Sequence, residues 1–265
     1  MKRRTFLSLL TIPIGFAGSP PAIEKAFHHL FNFDFPSVHA ATADSLQDPI
    51  ALAVRAAAFL FEEFVNLKIW EGDDFFGSGR RSKAKPDPHI RTSFFAALSE
   101  TRHLADGMLD RNQKDISALF AYMMSYGLET DYLAFLERRA IASFDTCKKG
   151  QVWADRLLAA DPQFHDAYLT TGTNEYMLGA LPGVVRWAVK VETAKGDKQK
   201  GLYHLELTAR NGRYFPAFAK LLLAVFYERE KQFSKATAML QELAESHPRN
   251  QLFTAQLIRL RQKSA

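Results

Sequence analysis

The residues able to do chemistry in this chain are few and scattered. Two polar pairs, His165-Asp166 and Asn174-Glu175, could serve as acid or base if packed between helices, because burial shifts a pKa. An Asp at a helix start and a Glu inside a helix are also common where no chemistry occurs. Cys147 is the only cysteine, which rules out an intramolecular disulfide and a site of four thiolates. In the run FDTCKKG it falls at a helix contact position, as a small buried side chain, and no His or Asp partner that would activate it is identifiable. His28-His29 have no further ligand at metal spacing and read as solvent-facing imidazoles. Gly77-Ser78-Gly79 lacks the Lys-Ser/Thr that completes a phosphate loop. H-E-x-x-H, G-x-S-x-G and nucleotide-binding glycine patterns are all missing, so no catalytic residue, metal or cofactor is expected and the chain reads as non-enzymatic.

Composition bounds the class. With 265 residues, 47% hydrophobic and 24% charged, the chain is an ordinary folded domain with room for a sizeable core. The formal charge of +5 is small once Lys2, Arg3, Arg4 and Lys25, against Glu24 and Asp34, are set aside. That excess argues against nucleic acid as a partner. The opening MKRRTFLSLLTIPIGFAG has a basic start and an apolar run from Phe6 to Ala17 that Pro13 breaks too soon to span a bilayer. Arg3-Arg4-Thr5-Phe6-Leu7 resembles the twin-arginine export signal, which implies a periplasmic or otherwise exported protein. Ala41-Thr42-Ala43 is a small-x-small pattern, so residues 1–43 read as signal and spacer and 44–265 as one helical domain. Membrane contact is expected only through an uncleaved signal. If cleavage follows the first apolar run, IEKAFHHLFNFDFP stays as an aromatic N-terminal arm.

The elements that must position any site are helical. DPIALAVRAAAFLFEEFVNLKIW predicts one helix over 48–70, with Asp48-Pro49 as N-cap and first-turn residue. Residues 71–91 read as a surface loop, whose basic run Arg80-Arg81-Ser82-Lys83-Ala84-Lys85 is either solvated or an anion-binding patch. The most regular stretch is AFAKLLLAVFYEREKQFSKATAMLQELAESHPRN, from Ala217 to Asn250. Phe218, Leu221, Leu222, Val225 and Phe226, then Ala236, Met239, Leu240 and Leu243, give two amphipathic helices around a polar break. Leu223-Ala224, Tyr227, Ala236, Leu240 and Pro248 resemble the tetratricopeptide-repeat pattern in spacing, with Lys220, Ala224 and Leu240 where that family prefers Trp, Gly and Phe.

Asp110-Arg111-Asn112, Asp161-Pro162 and His247-Pro248 each close a helix, and Gly172 falls in the close-approach slot of the unit beginning at His165. Pro162 and Pro248 are more than two periods of about 34 residues apart. The surplus implies an inserted helix or lid over 182–196, and the excess between Asn112 and Pro162 implies a lengthened helix over 133–158. QLFTAQLIRLRQKSA reads as a capping helix.

The resemblance implies an all-α, right-handed superhelix whose first helices line a concave groove. The groove positions are then Ile116, Leu119, Met123 and Tyr126; Leu169, Thr173 and Tyr176; Phe218, Leu221 and Val225, with Asp166 and Glu228 at the remaining offsets. The groove is mostly apolar. It predicts an adaptor that binds an apolar or amphipathic segment of another protein or peptide, or else a carrier of a small apolar ligand such as an acyl chain, as an accessory to a transport system. The same side chains could instead pack against the inserted segment or the N-terminal helix.

Overall fold

The computed structural model describes residues 21–70, 85–181 and 196–264, all of whose regular structure is helical. The signal over 1–20, most of the basic run at 80–85 and the insertion expected over 182–195 lie outside the described residues. Eleven α-helices are present among them: α1 Pro21–Phe31, α2 Phe35–Ala41, α3 Pro49–Asn66, α4 Pro88–Arg111, α5 Ile116–Asp131, α6 Ala140–Ala160, α7 Tyr168–Ala180, α8 Lys198–Asn211, α9 Pro216–Arg229, α10 Phe233–Ser246 and α11 Gln251–Ser264. Acidic side chains cap several of them. Asp48 accepts from Ile50 N at 2.8 Å, Asp87 from His89 N at 2.7 Å, Asp115 from Ala118 N at 3.0 Å and Asp197 from Gln199 N at 2.8 Å. From α3 onward, neighbouring helices pack on one another in chain order, and α3 also packs on α5.

The helix expected over 48–70 is shorter than its pattern. It ends at Asn66, Lys68 takes a positive φ of 55°, and Ile69 N bonds back to Phe64 O at 2.8 Å, which folds Trp70 into contact with Phe61 and Phe64. The loop expected over 71–91 gives way to helix at Pro88. The lengthened helix over 133–158 is in fact broken. Helix α5 runs into one π turn, Tyr132–Leu136, then Arg138 adopts φ 57° and α6 starts anew at Ala140.

The pairing of α7 with α8 is set by glycine. A Cβ on Gly201 would stand 2.6 Å from Tyr176 N and 2.7 Å from Gly172 O, both backbone atoms, so only bare glycines allow this approach.

The core takes in residues that the sequence assigns to a spacer. Ile23, Ala26, Phe27, Leu30 and Phe31 on α1, and Phe35 and Val38 on α2, are buried in the same cluster as the later helices. Helix α1 reaches across to the C-terminal half. Phe27 packs on Tyr214 and Phe215 at 4.9 and 5.6 Å, Asn250 Nδ2 donates to Phe31 O at 2.8 Å, and Arg213 pairs with Glu24 at 2.6 Å. The first and last elements are thereby clasped together, a closure that an open row of hairpins lacks.

A candidate ligand cavity

Helices α1, α3, α5, α6, α7, α8 and α9 surround a cavity of about 1420 Å³. One side is greasy: Phe31, Phe61, Met123, Leu128, Phe218, Val225 and Phe226 line it. These are the inward faces of α1, α3, α5 and α9, and Phe61 and Phe218 meet ring to ring at 5.9 Å. The other side is polar, with Cys147 and Gln151 from α6, Asn174 from α7, Lys200 from α8, and Asp131 where α5 turns into its π segment.

The polar side is held rigidly. Cys147 Sγ lies 3.1 Å from Asn174 Oδ1, Asn174 Nδ2 donates to Gln151 Oε1 at 2.7 Å, and Gln151 Nε2 donates to Asp155 at 2.9 Å. Lys200 pairs with Glu175 at 2.6 Å at the cavity edge. Burial pushes the Cys147 thiol up to about 11, with the nearby Asp131 carboxylate adding to the effect, so the sulfur is a neutral S–H donor at neutral pH.

Asp131 differs from these. It keeps some surface, lies on the cavity lining, and is otherwise packed in protein, so burial pushes its carboxyl up to about 7. Among the described residues no hydrogen bond or ion pair engages it.

Of the groove positions named from sequence, Met123, Leu169, Thr173, Phe218 and Val225 come together on this cavity. Leu119 and Leu221 are buried in the core instead, and Ile116 packs against it. Tyr126 lies under the Arg102 guanidinium at 4.1 Å, and Tyr176 stacks on Phe226 at 3.8 Å while its hydroxyl donates to Glu230. Glu228 turns toward α11, where it pairs with Arg259 and Lys263. Asp166 is off the lining, accepting from the backbone N–H groups of Arg213, Tyr214 and Phe215 at 2.7–2.9 Å.

Sequence reasoning missed Asp131, Gln151 and Phe61. Stepping from Met123 by turns of the helix leads through Gly127 to Asp131, so the signal for that residue was present in the periodicity. Among the described residues no group of three His, Cys, Asp or Glu side chains is placed to hold a metal ion. No protein-family model matches the chain, and no curated protein matches it in sequence.

Proposed function

We propose that this chain is a non-enzymatic carrier of a small amphipathic ligand, held inside a divergent tetratricopeptide-like superhelix. The observation that carries this reading is the cavity itself, which joins a continuous apolar side to a fixed, hydrogen-bonded polar side. Ligand sites of drug-like molecules occupy roughly 300–1,000 Å³. A space of about 1420 Å³ therefore admits a ligand with an extended chain. The polar chain Cys147, Asn174, Gln151 is satisfied internally, which fixes an orientation without offering a nucleophile or base. The twin-arginine-like Arg3-Arg4-Thr5-Phe6-Leu7 supports an exported carrier, in the periplasm or another exported compartment, as an accessory to a transport system.

Native mass spectrometry of freshly purified protein tests it. Extra mass that disappears when Leu169→Trp fills the cavity is the expected result; a clean unliganded spectrum under mild conditions counts against the carrier.

A second reading, an adaptor for an apolar segment of another protein, draws on one observation. Helix α1 already lays Leu30 and Phe31 against the cavity, so the trough suits an amphipathic helix face. Cross-linking in the exported compartment should then return one stoichiometric partner, lost in the same Leu169→Trp variant.

A further inference from the structure

We infer that the cavity selects a cationic amphiphile, an aliphatic amine with a long apolar chain whose ammonium group sits at the Asp131 carboxyl. This rests on the carrier reading and names its ligand class. Seven charged residues line the cavity, and six are engaged. Lys200 pairs with Glu175, Asp155 accepts from Gln151, and Lys148 pairs with Asp145 at 3.7 Å and lies over the Phe144 ring. Arg229 lies over the Phe226 ring, and Arg138 has contacts of its own. Asp131 is left without a donor.

The polar chain beside it is committed elsewhere. The Cys147 S–H is directed to Asn174, and the Asn174 amide to Gln151. An ionised carboxyl is an acceptor only, and a positively charged donor at this lining both meets it and favours the ionised form that burial alone disfavours. Against the ionised form of Asp131 a carboxylate head would set like charge, and a hydroxyl head would leave the charge uncompensated. The apolar body of the ligand then extends along Phe61, Phe218 and Val225.

The test is calorimetric titration of the full-length, delipidated protein at neutral pH with dodecylamine, 1-dodecanol and dodecanoate, each below its aggregation limit. Wild type is expected to bind the amine about tenfold or more tightly than the alcohol, with the carboxylate weakest. Asp131→Asn should keep the affinity for the alcohol and lose the preference for the amine. Asp131→Ala takes its place if the amide does not fold, and alcohol binding in either variant reports an intact cavity. Equal binding of amine and alcohol by wild type, or a preference that survives both substitutions, overturns the role of Asp131 and leaves the carrier intact. If wild type binds none of the three chains, the carrier reading falls first and takes this inference with it.

Discussion

Asp131 and Asp166 are the same residue in two opposite situations. In both, burial raises the carboxyl pKa. Asp166 sits in the short 3₁₀ turn before α7 and accepts three backbone N–H groups from the turn before α9, so its carboxylate is a clamp between hairpins. Asp131 accepts none and faces a cavity. Burial alone therefore does not separate a structural carboxylate from a recognition group; the number of donors already aimed at it does.

The largest test of this contrast is at the clamp. Asp166→Ala leaves three N–H groups, two of them buried, without an acceptor and should cost about 2–3 kcal/mol in urea unfolding, at roughly 1 kcal/mol per orphaned donor. A loss below about 1 kcal/mol would remove the distinction between the two sites. Next comes the glycine contact that sets α7 on α8 beside the polar wall. Gly201→Ala drives a methyl into Tyr176 N and Gly172 O, neither of which can yield, and should cost about 2–3 kcal/mol by thermal unfolding.

At Asp131 the sign reverses. Its folded pKa of about 7 lies above the ordinary 3.8, so the folded state holds the proton more tightly than the unfolded chain. Stability from this group is full at low pH and falls as pH rises through about 7. Asp131→Asn should accordingly stabilise the unliganded protein at pH 8 by on the order of 1–2 kcal/mol, with the gain fading toward acid. An unchanged melting temperature at pH 8 would mean that the carboxyl is solvated after all.

The smallest effect concerns Glu228. Burial raises its pKa, but the bonds from Arg259 and Lys263 outweigh that and hold it below the usual carboxylate range. Its stabilisation is therefore present above the ordinary pKa and lost as pH falls, the inverse of Asp131. Glu228→Gln should cost roughly 1 kcal/mol or less near neutral pH and speed amide exchange in α11.

Much of the helical order was readable. Asp48-Pro49 as a start, Gly172 as a close contact and 251–264 as a final helix follow from local rules that the coordinates express. The site was only half readable, and helix geometry explains which half. The expected groove positions stand at offsets two, five, nine and twelve of the units beginning at Asp115, His165 and Ala217. At about 100° per residue, offset twelve lies about 60° round the helix from offset nine, and offsets two and five reach the cavity only at Phe218 and Leu169. Met123, Thr173 and Val225, all at offset nine, reach the cavity; Tyr126 and Tyr176, at offset twelve, do not. Asp131 stayed hidden because its isolation is a property of α6 and α7, whose polar groups satisfy one another. The place of α1 was hidden for a similar reason: its partners are remote in sequence, and a leader-like start drew 21–43 into the spacer.

The bond from Asn250 to Phe31 joins residues 219 apart, and that from Arg213 to Glu24 joins residues 189 apart. A row of hairpins can nucleate anywhere and grow one neighbour at a time. This fold cannot finish that way, because α1, an N-terminal wall of its chamber, completes its contacts only once the turns before α9 and α11 have been synthesised. Loop-closure entropy falls on that last step, so assembly should be slow at its end and release from the wall abrupt, like a buckle rather than a zip.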